Sequence, residues 1–140
     1  MTTIAYRDGV IAFDSRLSEE DMIISDTYDK SYKEDGLNIF FAGNVVLVPM
    51  LVEFIVNGSQ IEMPGELEAL VWMDNELLWA CLSDGYYYKL PIKLDTCFAI
   101  GSGKPHAYTA MDMGADATLA VKMAMRRDKN TGGLINSFRL

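Results

Sequence analysis

Short apolar runs broken by Gly, Asp and Asn fill the first part of the chain and predict β-strands. Thr3–Tyr6 and Val10–Phe13 flank Arg7-Asp8-Gly9, and Asp-Gly between two such runs is a hairpin turn. Met22–Thr27, Tyr28–Tyr32 and Leu37–Ala42 are further strand candidates. Beyond the turn signal Gly43-Asn44, an apolar stretch predicts a helix to about Val56, closed by Asn57-Gly58. The polar segment Ser59–Glu66, with Pro64 and Gly65, leads to three strands, Leu67–Met73, Glu76–Leu82 and Tyr86–Leu90. Asp74-Asn75 and Ser83-Asp84-Gly85 join them as hairpins. Pro91 is expected to end this meander, and Cys97–Ile100 starts another strand.

The period then changes. Gly101-Ser102-Gly103 reads as a tight turn and Lys104–Met113 as a helix, which Gly114 breaks. Asp116 is placed to cap a second helix running to about Arg127. Leu119, Ala120, Met123 and Ala124 form its expected apolar stripe, with Lys122, Arg126 and Arg127 on the wet side. Arg126 and Arg127 would fall in the last turn, where cations suit the helix dipole. Thr131-Gly132-Gly133 turns the chain into a final strand, Leu134–Arg139. Runs of strands interrupted by helices predict an α+β fold in which sheets pack face to face with helices outside.

The length of 140 residues fits one domain, 1–140, and half of the residues are hydrophobic. A formal charge of −8 argues against the cationic surface that nucleic acid or an anionic membrane requires. The one membrane-like stretch, Ile39–Val56, is interrupted by Gly43, Asn44, Pro49 and Glu53, so it is not read as a span. Cys81 and Cys97 lie in apolar surroundings, and the start Met-Thr-Thr-Ile is not a signal peptide. They read as buried, reduced thiols of a cytoplasmic protein. One histidine, His106, and two distant cysteines offer no metal-ligand spacing. No metal and no cofactor is expected.

Several catalytic designs fail on the residues. There is no Gly-x-Ser-x-Gly elbow, and a Ser–His–Asp triad would rest on His106 alone. Gly101-Ser-Gly-Lys104 lacks the earlier glycine of a phosphate loop. What remains is Thr2. Removal of Met1 would put a hydroxyl nucleophile and a free α-amine on one residue. An α-amine titrates at roughly 7.7–8.0, so it can act as general base for its own hydroxyl near neutral pH. That chemistry needs no histidine.

Thr2-Thr3-Ile-Ala, Gly9-Val-Ile-Ala-Phe-Asp14-Ser-Arg16, Lys30 and Phe41-Ala-Gly43 occur in an order that resembles the proteasome β-subunit family. Ala99-Ile-Gly-Ser102-Gly, Ala107-Tyr-Thr-Ala-Met-Asp112 and Arg127-Asp128-Lys-Asn-Thr131-Gly-Gly133 continue the likeness, which runs from Thr2 to Leu140. The family includes a bacterial peptidase ring that works beneath a hexameric ATPase. The resemblance implies a four-layer α/β/β/α N-terminal-nucleophile hydrolase sandwich that cuts polypeptides inside a homo-oligomeric ring, with an ATPase unfoldase as a partner. It makes Thr2 the nucleophile and, through its amine, the base. Lys30 becomes the neighbouring cation, and Asp14 holds that cation charged and oriented. The N–H of Gly43 becomes the oxyanion donor, and Ser102, Asp128 and Thr131 the polar network around the Thr2 amine. Leu17, Tyr28, Phe41 and Val45 match the pocket for the residue preceding the cut, and their apolar character implies an apolar or aromatic preference.

Three departures bear on this. Ser59–Glu66 is too short for the family's second long helix, so the second helix is shortened or missing and one sheet face loses cover. Thr131 stands where the family usually has Ser, and Asn44 where a second Gly is frequent. A retained Met1 would block the amine, and the chain would then be a catalytically inactive assembly or binding protein. A small-molecule amidase using the same nucleophile is the third reading.

Overall fold

The computed structural model describes residues 2–140. Strands β1 (Ile4–Arg7), β2 (Val10–Phe13), β10 (Phe98–Ile100) and β11 (Asn136–Arg139) form a four-stranded antiparallel sheet in the order β10-β1-β2-β11. Strands β5 (Ser31–Glu34), β6 (Leu37–Gly43), β7 (Glu66–Met73), β8 (Glu76–Ser83) and β9 (Tyr86–Ile92) form a five-stranded antiparallel sheet in sequence order. A separate hairpin pairs β3 (Leu17–Glu19) with β4 (Met22–Ser25). Helix α1 (Val48–Asn57) follows β6, while α2 (Lys104–Asp112) and α3 (Ala117–Met125) follow β10.

Strand alternation sorts the core into three clusters. Ile4, Tyr6, Ile11, Phe13 and Ile100 meet Phe40, Leu70, Leu77 and Ile92 between the two sheets. The residues that alternate with them, Ala5, Ala12 and Ala99, face Ala107 and Met111 of α2 and Ala117, Ala120 and Val121 of α3. On the far side of the five-stranded sheet, Ile39, Phe41, Ala69, Val71, Leu78 and Leu82 pack against Leu51, Phe54 and Ile55 of α1. The tight hairpins close as their residues demand: both φ angles are positive at Asp8-Gly9, Asp74-Asn75 and Asp84-Gly85.

Helix ends follow the chain's own signals. The Asn44 side chain accepts from the Val46 N–H at the head of a short 3-10 turn, Val45–Leu47, that leads into α1. Gly58, at φ 72°, ends α1 with its N–H on the Phe54 carbonyl. Asp116 caps α3 by accepting from the Leu119 N–H, as expected.

Several elements differ from the sequence expectation. The strand expected at Tyr28–Tyr32 starts at Ser31, and β3 was not anticipated. Pro91 does not end the meander but sits inside β9, paired with Leu78; β9 is an edge strand, where a missing N–H interrupts no ladder. The last strand starts at Asn136 rather than Leu134. Helix α3 ends at Met125, so Lys122 rather than Arg126 and Arg127 is its last-turn cation. Its buried stripe is Ala117, Ala120, Val121 and Ala124, whereas Leu119 and Met123 are exposed. Cys81 is buried, but Cys97 only partly so.

Ser59–Glu66 contains no helix, as the short segment implied, yet the sheet face beneath it is not stripped bare. The Gly65 N–H donates to Asp84 at 2.9 Å and the Asp84 N–H to the Gly65 carbonyl at 2.9 Å. The Tyr87 hydroxyl donates to the Ile61 carbonyl, and Met63 packs on the core beside it. Among the described residues no helix is long and apolar enough to cross a membrane.

Candidate active site

Pairing of β1 with β2 brings Thr2 and Thr3 beside Asp14, the residue just past the end of β2, and the Asp14 N–H donates to the Thr3 carbonyl at 3.3 Å. Lys30 lies just ahead of β5. Its carbonyl accepts from the Phe41 N–H at 3.0 Å, which extends the β5–β6 pairing by one step and aims the side chain inward. The loop after α3 supplies Asp128, Thr131 and Gly132.

Asp14 is the hub. It is fully buried, and one carboxylate oxygen accepts from the Thr2 hydroxyl, from the Lys30 ammonium at 2.8 Å and from the Thr3 N–H at 3.2 Å. The other accepts from the Gly132 N–H at 2.9 Å and the Arg16 N–H at 3.3 Å. Lys30 also donates to the Thr2 hydroxyl, so that hydroxyl sits between an ammonium and a carboxylate. Burying an ion pair is tolerable only when the remaining polar positions are filled, as they are here. Burial of Lys30 pushes its pKa below the ordinary lysine value; the charge and hydrogen bond of Asp14 and the charge of Asp128 oppose this without reversing it.

Ser102, Asp128 and Thr131 also come together. The same Asp128 oxygen accepts from the hydroxyls of Ser102 and Thr131, each at 2.6 Å. Thr131 in turn lies 2.7 Å from the Thr3 hydroxyl. Ser102 reaches Thr2 at its carbonyl oxygen, 3.4 Å away, and the Gly103 N–H donates to the same oxygen at 3.2 Å. Partial burial would raise the Asp128 pKa, but hydrogen bonds from Ser102, Thr131 and the Asn130 N–H outweigh it, and the net shift is downward.

Thr2, Lys30 and Gly43 line a cleft of about 90 Å³, together with all four expected pocket residues, Leu17, Tyr28, Phe41 and Val45. Gly43, at φ 123°, has a local reason for its identity: a Cβ there would stand 2.6 Å from the Glu66 carbonyl oxygen. Among the described residues no group of three His, Cys, Asp or Glu side chains could hold a metal ion, and His106 stands exposed on α2, away from this cleft.

Four participants were not singled out by sequence. Thr3 hydrogen-bonds both Asp14 and Thr131. The Ser15 hydroxyl lies 2.7 Å from the carbonyls of Asp26 and Leu134, tying the β2 end to two loops. Arg16 pairs with Asp26 at 2.8 Å and reaches the Lys129 carbonyl at 3.0 Å. Glu68, on β7, accepts from the Gly101 N–H at 2.9 Å, and Gly101 packs so closely on Thr2 that a Cβ would stand 2.1 Å from its carbonyl oxygen. Alternation along β7 places Glu68 on the same face as Leu70 and Trp72, and a part-buried carboxylate beside them needs donors.

No protein-family model and no curated protein matches the chain. Two structures of Thiobacillus denitrificans BPH are similar to it, each with a TM-score of 0.69 at 16% identity. One, in complex with epoxomicin, is matched over 99% of this chain and 97% of that one; the other is matched over 99% and 96%. At that identity the likeness is one of fold, and the chain shares the fold of that protein.

Proposed function

We propose that the chain, as one domain over 1–140, is an N-terminal threonine peptidase that hydrolyses peptide bonds within a self-compartmentalised oligomeric ring in the cytoplasm. The observation that carries this reading is the Thr2 hydroxyl held between Lys30 and Asp14 in a buried pocket. The order of the three core clusters supports a four-layer N-terminal-nucleophile sandwich with one helix, α1, where the family has two. The epoxomicin complex of BPH supports the same class of chemistry.

Once Met1, which lies outside the described residues, is removed, the Thr2 oxygen attacks the carbonyl carbon of a peptide bond. Its proton passes to the Thr2 amine, directly or through one water. The positive charge of Lys30 favours the ionised hydroxyl and the neutral amine, the pair of states this step needs. Asp14 keeps Lys30 charged against the cost of burial. The Gly43 N–H donates to the developing oxyanion. Collapse expels the amine half of the substrate, which takes the proton back, and water then hydrolyses the ester on Thr2. Ser102, Asp128 and Thr131 position the Thr2 backbone and its amine.

The cleft is small, about 90 Å³, and Leu17, Tyr28, Phe41 and Val45 give it an apolar lining, which supports a preference for an apolar residue before the cut. Polypeptide substrates entering a closed chamber would need unfolding, which is the task of an ATPase partner.

The test is the mature N-terminal mass, followed by treatment with a threonine-directed epoxyketone and mapping of the adduct. A free Thr2 carrying the probe is the expected result. Lys30→Ala should lower turnover about 100-fold or more with oligomer size unchanged. A retained Met1 with no adduct overturns the peptidase reading in favour of an inactive assembly protein.

A further inference from the structure

A second cleft, of about 360 Å³, opens at the end of the space between the two sheets. Its floor is a row of residues directly paired across four strands: Ala42, Glu68, Cys81 and Tyr88. Directly paired residues share a face, so this row continues the inter-sheet surface beyond the apolar rung of Phe40 and Leu70. The core therefore ends in a polar mouth. Lys104, at the start of α2, stands on its rim.

Two features tie this mouth to Thr2. Ala42 lines both it and the Thr2 cleft. The turn that precedes Lys104 lies against Thr2 on one side, through Gly101 and Gly103, and is held by Glu68 on the other. A chain lying across Thr2, with the residue before the cut in the Leu17–Phe41 cleft, could continue past Ala42 into the second cleft. The two clefts adjoin at Ala42, and Thr2 lines the first.

We propose that this second cleft receives the part of the substrate that follows the cut and favours a lysine or arginine there. This rests on the peptidase reading above. Glu66 and Glu68 face one ammonium, Lys104, which leaves the lining net negative. Glu68 is already occupied by the Gly101 N–H and by the Trp79 indole, at 3.1 Å, so the more exposed Glu66 is the group that meets the incoming cation. Trp79 and Tyr88, whose rings meet edge to face with centroids 5.9 Å apart, offer aromatic surface to the aliphatic stem or the charged head of a basic side chain. A glutamate in the same place would meet like charge.

The experiment uses protein that begins at Thr2 and two internally quenched peptides that are identical before the cut. One carries Arg, the other Glu, at both of the first two positions after it. The Arg peptide is expected to have the higher kcat/KM by about fivefold or more, the factor that a half-exposed ion pair supplies. The ratio should shrink in about 1 M salt, where charges are screened beyond about 3 Å. Glu66→Lys should reverse the order, and Glu66→Gln should bring it near one. Both variants should leave unchanged the turnover of a short acyl substrate that has only a small leaving group. Equal rates for the two peptides in the unmodified protein, or an Arg preference that survives Glu66→Lys, overturn this assignment and leave the peptidase reading intact. Cleavage of neither peptide, with no epoxyketone adduct at Thr2, overturns both.

Discussion

On the outer face of the four-stranded sheet, the row of Ala99, Ala5 and Ala12 meets alanines of α2 and α3. On the outer face of the five-stranded sheet, Ile39, Phe41, Val71, Leu78 and Leu82 meet Leu51, Phe54 and Ile55 of α1. The first face is shielded by two helices brought close over small residues, and the second by one helix held off by large ones. Large side chains let a single helix fill a volume that small ones would leave empty. They also let an irregular segment, with Met63 on the core and Tyr87 tied to Ile61, close the remainder. One helix thus suffices on one face through side-chain volume, while close approach on the other depends on side-chain smallness.

This contrast can be broken by substitution. Leu51→Ala removes a fully buried side chain from the one-helix face and should cost about 2–5 kcal/mol in urea unfolding. A cost near that of a surface substitution would mean that α1 does not provide the cover. Ala120→Leu forces volume into the close-packed face and should cost about 1–3 kcal/mol, where the same change at an exposed helix position would be neutral. Asp116→Ala removes the α3 cap and should cost about 1 kcal/mol. The smallest effect is one of pH. Asp128, just past α3, titrates below its ordinary value of 3.8 in the folded chain, so its contribution is present above that value and is lost as pH falls through the folded pKa. Asp128→Asn should therefore flatten the acid side of the Tm–pH curve, as thermal unfolding followed down through acid pH would read.

Much of this was legible along the chain because local chemistry and tertiary demand agree there. Asp-Gly and Asp-Asn turns fixed the hairpins, Asn57-Gly58 stopped α1, and Asp116 started α3. Errors fell where burial, rather than pattern, decides. Leu119 and Met123 are apolar at helical spacing, yet α3 turns its alanines inward because the sheet beneath is paved with alanine. Pro91 looked like a strand end because nothing local reveals that β9 is an edge. In the candidate site, Thr2, Asp14 and Lys30 are in hydrogen-bond contact, and Ser102, Asp128 and Thr131 form one network. Thr3, Ser15 and Glu68 were missed because their partners, the Thr131 hydroxyl, the Leu134 carbonyl and the Gly101 N–H, lie far along the chain, which no spacing encodes.

The five donors that converge on Asp14 come from residues 2, 3, 16, 30 and 132. Bringing such distant segments together carries a loop-closure cost that is met before these contacts are made. A nascent chain still on the ribosome has no complete carboxylate nest until residue 132 has emerged. On the peptidase reading proposed above, Thr2 would stay without its full set of partners during synthesis, which would make the nascent chain latent.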